Sequence, residues 1–122
     1  MSAPAGPRTG EIYWADFNPT VGSEQRGDRP VIVFQNPAVG RFTTTVLVVP
    51  ITTSVKRLGL PGTCGLPAGA GALPADSVAL AYQMRAIDRQ RLRRRIGRLE
   101  GEHLDAVQDA VLSALGIAFA LV

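Results

Sequence analysis

Two apolar runs, Val31-Ile32-Val33-Phe34 and Val46-Leu47-Val48-Val49, constrain the fold of this chain more than any other feature. A strand with one wet face alternates apolar and polar residues, and these runs do not alternate. They read as strands buried on both faces, or at the core of a barrel. Asn36 to Arg41 reads as the short hairpin connection between them. Further strand-like runs are Glu11–Asp16, Pro30–Gln35, Thr44–Ile51, Ser77–Met84 and Ile96–Leu99, separated by Gly, Pro and Asn clusters. Many short strands in 122 residues give one domain, mainly β with short α, built as a small barrel. A chain of this size buries roughly two-thirds of its unfolded surface, enough to fold without a disulfide or metal.

The clearest helix is C-terminal. Leu104, Val107, Val111 and Leu115 recur at helical spacing, with Ala110 and Ala114 beside them. Acids near its start suit the macrodipole, and Gly116 is placed to end it. Asp88 to Leu92 reads as one helical turn capped by the aspartate. Leu58 to Ala75, rich in Gly and Pro, reads as loop with one short strand around Thr63–Leu66. Residues 1–9 read as a flexible tail ahead of a single domain over 10–122. The apolar end Ile117–Val122 is expected to pack on the domain or on a second subunit.

Charge is unevenly spread over the net +3. Arg85, Arg89, Arg91, Arg93, Arg94, Arg95 and Arg98 crowd the stretch Asp76–Leu99, whereas Glu100, Glu102, Asp105 and Asp109 follow with no Lys or Arg. Such a division suits a polyanion on one surface, or simply a solvated charged face. The lone Cys64 makes no internal disulfide and fits a reducing compartment. With no signal-peptide core and no apolar run of membrane-spanning length, the expected location is cytoplasmic, with no membrane partner.

Most catalytic constellations are missing. There is no CxxC, no HExxH and no histidine pair, so neither a metal nor another cofactor is expected. The glycines of Gly65–Gly71 lack the Lys-Ser/Thr of a phosphate-binding loop. His103 reads as a helix surface residue and Cys64 as an incidental thiol. The densest polar stretch is the loop Asn18–Asp28, which ends on Arg29 at the head of a buried strand. Thr52 follows the other apolar strand. Side chains at such strand ends are rigidly aimed, and an arginine fork with a threonine hydroxyl fits a phosphate. Residue types alone favour an arginine bridging to Asp28 or Asp16 and a threonine that merely ends a strand.

Gly10-Glu11-Ile12-Tyr13-Trp14-Ala15-Asp16, Pro19-Thr20-Val21-Gly22-Ser23-Glu24-Gln25 and Arg29-Pro30-Val31-Ile32-Val33 resemble the opening of MazF/PemK toxins. Val48-Val49-Pro50-Ile51-Thr52, Leu66-Pro67, Asp76-Ser77-Val78-Ala79-Leu80, Gln83-Met84-Arg85 and Arg89-Gln90-Arg91-Leu92 continue the likeness in order, to about Leu115. The resemblance implies an SH3-like β-barrel with a C-terminal helix that forms homodimers. It implies a metal-independent, sequence-selective endoribonuclease acting on single-stranded RNA. It also implies a cognate MazE-like antitoxin that lays an acidic, disorder-prone segment over the active surface. The family's catalytic arginine and threonine fall on Arg29 and Thr52. RNA-reading positions fall on Ser23, Glu24 and Gln25, on Leu60, and on Gln83 and Arg85. Tyr13, Trp14 and Phe17 are candidates for base stacking or for core packing.

The chain departs from the family pattern at Ala81-Tyr82, at Leu60-Pro61-Gly62 and in the Gly-rich loop, so its target sequence is its own. Two rival readings use the same barrel: a gyrase poison of the CcdB kind, and an RNA-binding module without activity. CcdB-like poisons depend on a tryptophan-containing C-terminal tail, whereas this chain ends Ala118-Phe119-Ala120-Leu121-Val122.

Overall fold

The computed structural model describes residues 6–17 and 27–117. Among them, seven strands form one antiparallel system: β1 (Glu11–Asp16), β2 (Asp28–Val33), β3 (Thr45–Thr52), β4 (Thr63–Leu66), β5 (Ser77–Leu80), β6 (Arg85–Asp88) and β7 (Leu92–Arg98). The strand order is β4-β5-β3-β2-β1-β7, and β6 also pairs with β3. Two helices join them, α1 (Pro37–Gly40) and α2 (Gly101–Leu115). The result is the expected small mainly β barrel with a C-terminal helix.

The apolar runs have both faces covered, as their lack of alternation requires. Ile32, Val49 and Ile51 join Leu66, Leu80's neighbour Ala79, and Val107, Ala110 and Val111 of α2 in one core. Val31, Val33, Val46 and Val48 point the other way, into a second core with Ala15, Phe17 and Ile87. Strand β3 is the hinge of the design. It pairs with β2 and β6 over its first part, then with β5 at Ile51 and Thr52.

Several expectations need correction. Ser77–Met84 is not one strand: a 3₁₀ turn (Ala81–Gln83) breaks it, because β5 and β6 meet β3 at different places. The last strand begins at Leu92 rather than Ile96, so the three consecutive arginines Arg93, Arg94 and Arg95 lie in it. The expected hairpin connection holds α1, started by Pro37 and capped by Asn36, whose side chain accepts from Ala38 N at 2.9 Å. Leu47 and Leu115 are exposed, so each apolar pattern overreached by one position. By contrast, the helical turn at Arg89–Arg91 is capped by Asp88 as expected, and Gly116 ends α2 in the left-handed conformation (φ 72°). In the first described segment, Thr9 Oγ1 donates to the Gln35 carbonyl at 2.5 Å and Gly10 N to the Val33 carbonyl at 2.8 Å.

Candidate functional site

Arg29 sits second in β2, half-buried and paired across the sheet with Ala15. Alternation puts it on the face of Val31 and Val33, at the open rim of the second core. Val46 and Val48 of β3 face that same core, and alternation carries Thr52 to the same side. The β2–β3 register pairs Val33 with Val48 and Val31 with Pro50. Continued two residues further, that register would bring Arg29 toward Thr52, which itself pairs with Val78 of β5. Two residues 23 positions apart thus share one rim because the strands between them are buried and in fixed register.

The environments of the two side chains differ. Thr52 is 8% exposed, and its Oγ1 accepts from Ser54 N at 3.1 Å. Its own hydroxyl hydrogen is left to donate. Arg29 forms no ion pair or side-chain hydrogen bond among the described residues. The bridge to Asp16 that its sequence context allowed is taken by another residue: Arg93 Nη2 lies 3.1 Å from Asp16 Oδ2. A guanidinium with no partner among the described residues and a buried hydroxyl with a hydrogen to donate are both suited to a phosphate.

Arg85 joins this face. It stands across from Val48 in β6, and its guanidinium lies 5.4 Å from the Phe17 ring centroid. Phe17 is buried in the second core, which gives it the packing role rather than base stacking. Tyr13 also packs there, half-buried, and its hydroxyl donates to Glu11 Oε1 at 3.3 Å. Burial, reinforced by the Glu11 carboxylate, pushes the Tyr13 phenol above its ordinary range. Trp14 is half-buried opposite Pro30.

The remaining expected residues are not all brought together. Ser23, Glu24 and Gln25 lie outside the described residues. Gln83 is half-buried in the 3₁₀ turn before β6, where its Nε2 donates to Tyr82 Oη at 3.3 Å. Leu60 is exposed and lines an open groove of about 440 Å³ against Ala106, Asp109, Ala110 and Ser113 of α2. That groove also contains Cys64. Burial, with the Asp109 carboxylate nearby, raises the thiol pKa and keeps it protonated. Alkylation of Cys64 at pH 8 is therefore expected to run well below the rate of an unhindered thiol, and denaturant should restore the full rate.

The basic cluster is the largest surprise. Arg89 Nη2 donates to the carbonyls of Gly40 (2.8 Å) and Thr43 (3.1 Å), and Arg91 Nη1 to that of Asp16 (3.0 Å). Arg95 pairs with Glu11 at 2.9 Å, and Arg98 approaches Glu100 at 3.9 Å. Most of the arginine run therefore fastens β7 and its preceding turn to β1 and the α1 connection. The acids that compensate it, Glu11 and Asp16, lie some eighty positions upstream, out of reach of any local reading of charge. No group of three or more His, Cys, Asp or Glu converges among the described residues.

Residues 8–115 match the family of PemK-like, MazF-like toxins of type II toxin–antitoxin systems. The chain belongs to this family. Endoribonuclease EndoA of Bacillus subtilis is 40% identical over 110 residues, spanning 90% of this chain and 95% of EndoA. The crystal structure of MazF from Deinococcus radiodurans matches with a TM-score of 0.75 at 31% identity, over 92% of this chain and 98% of that one. A MazE-MazF structure from the same organism matches at 0.71 and 26% identity, covering 93% and 98%.

For a MazF-family toxin, the rim of the second core is thus the place to seek the site. Arg29 stands on that face by alternation, and Arg85, which the resemblance singled out, lies across from Val48. Sequence reading missed the Arg57–Tyr82 contact, in which Arg57 Nη1 donates to Tyr82 Oη at 2.5 Å. No local signal marks a pair 25 positions apart on two loops. No described helix of the toxin is long and apolar enough to cross a membrane.

Proposed function

We propose that this endoribonuclease toxin cuts single-stranded RNA, chiefly mRNA, at the rim where Arg29 faces Thr52. One observation supports the assignment: an arginine with no partner among the described residues and a buried threonine hydroxyl stand at the ends of two paired strands packed on both faces. RNA supplies its own nucleophile. The 2′-oxygen attacks the adjacent phosphorus and releases its proton to water, the P–O5′ bond breaks, and the 5′-oxygen takes a proton from Arg29, which solvent then reprotonates. The products are a 2′,3′-cyclic phosphate and a 5′-hydroxyl. Charge grows on the phosphoryl oxygens during attack, and Arg29 is suited to stabilise it and to protonate the leaving oxygen. It is a poor base, since a guanidinium carries donors only and no acceptor site. Thr52 donates to a non-bridging oxygen and orients the phosphate. Positioning and electrostatics supply the rate, with no metal or cofactor.

Arg85, held over Phe17, lies on the same face and reads or grips the adjoining nucleotide, with Gln83, Leu60 and the Ser23–Gln25 loop. In the cell the toxin acts in the cytoplasm as a homodimer, lowers translation and growth, and is silenced by a MazE-like antitoxin whose acidic segment covers the same basic rim. The test is digestion of one long RNA by purified protein in excess EDTA. Discrete fragments ending in cyclic phosphate are expected. Intact RNA together with inhibited gyrase would overturn the assignment in favour of a CcdB-like poison.

A further inference from the structure

The cations of this surface divide by whether a carboxylate neutralises them. On β7, Arg93 and Arg95 are paired with Asp16 and Glu11. Arg57 is different. Its one side-chain partner among the described residues is the neutral Tyr82 hydroxyl, at 2.5 Å. Gln83 Nε2 donates to the same oxygen at 3.3 Å. With both neighbours donating to it, Tyr82 turns its own hydrogen outward. Arg57 and Tyr82 therefore offer the free N–H groups of a whole guanidinium charge and one phenolic O–H. Tyr82 also keeps 41% of its surface exposed.

Its position ties this cluster to the cleavage rim. Arg57 closes a 3₁₀ turn (Val55–Arg57) that follows Thr52, and Ser54 N is bonded to Thr52 Oγ1 at 3.1 Å. Tyr82 lies in the turn that follows β5, whose Val78 stands across from Thr52. Both arms of the cluster thus leave from one strand pair, and Arg57 stands no more than about 18 Å of chain from Thr52.

We propose that Arg57 and Tyr82 form a second RNA contact, gripping a backbone phosphate next to the scissile nucleotide. The proposal rests on the reading of Arg29 and Thr52 as the cleavage site. A planar guanidinium with spare parallel N–H groups matches a phosphate, and the phenol hydrogen adds a bond that fixes its orientation. The substrate therefore enters over the turns beside Thr52, not along the arginine-rich strand β7.

The test is binding of a 2′-O-methyl RNA copy of a segment spanning a mapped cleavage site, measured against salt, alongside KM and kcat on the unmodified RNA. Arg57→Ala is expected to reduce the magnitude of the log–log salt slope by about 0.7, the loss of one phosphate contact on a single strand. It should raise KM roughly tenfold and leave kcat near wild type. Tyr82→Phe should raise KM with the slope unchanged, since no charge is lost. Arg94→Ala, which removes an exposed β7 arginine without a partner among the described residues, should change neither. A wild-type slope and KM in Arg57→Ala, or an equal slope change in Arg94→Ala, would overturn the proposal. Continued cleavage by Arg29→Ala would sink the underlying assignment instead.

Discussion

Replacing Arg29 by Ala is expected to abolish measurable RNA cleavage while the melting temperature stays close to that of the wild type. Loss of a single preorganised donor to a developing oxyanion costs about 10²–10³ in kcat. Arg29 is proposed to do more than donate, since it also supplies the proton to the leaving 5′-oxygen, so the loss should exceed that range. Stability should hold because Arg29 is bonded to no other side chain or carbonyl among the described residues. Its removal strands no buried acceptor, which is where large costs arise. Arg29→Lys should recover only part of the rate: it keeps the charge but loses the fork that spans two phosphoryl oxygens. Initial rates on one RNA, read with thermal melts of the same preparations, decide the matter. Wild-type rates in a folded Arg29→Ala protein would exclude Arg29 from the chemistry.

The second large effect falls on the fold. The 3₁₀ turn Ala70–Ala72 crosses directly over β7, and Gly97 is the residue beneath it. A methyl group on Gly97 would overlap the Gly71 carbonyl oxygen and lie 2.9 Å from Ala72 Cβ. Relief by moving the turn is costly. A methyl on Gly71 would itself reach within 2.6 Å of Ile12 Cδ1, and the flanking Ala70 and Leu73 are anchored in the main core. Gly97→Ala is therefore expected to cost about 3 kcal/mol or more, at the upper end for overpacking. In a domain of this size the melting temperature should fall by roughly 10 °C or more. Gly101→Ala makes the contrast. Its φ is +56° but nothing lies within 4 Å of an added methyl, so only the left-handed penalty of about 1–2 kcal/mol applies. Equal melting temperatures for the two variants would show that the crossing yields more easily than its packing implies.

The legibility of the chain differed by element. Val31–Phe34 and Val46–Val49 revealed their strands because burial on both faces leaves an unmistakable apolar run. Helix α2 was legible through its spacing and its Gly116 terminus. The first part of strand β7 was not, because Arg93 and Arg95 are exposed and paired with acids from β1, so neither apolar alternation nor local charge marks it. The break at Ala81–Gln83 was hidden for a different reason. Ser77–Met84 is locally good strand sequence, and only the turn of β3 from one set of partners to another forces the interruption.

The sequence by itself determined a mainly β domain with one amphipathic helix and put Arg29 and Thr52 at the ends of buried strands, while their proposed role came from the family resemblance. Periodicity and turn chemistry are local, so they survive without coordinates. Only the tertiary structure decided the register in which β2 and β3 pair, that Asp16 bridges to Arg93, and that Arg57 rests on Tyr82. Register between distant strands and the pairing of charges far apart in the chain are set by how the sheet closes. No window along the sequence contains both partners.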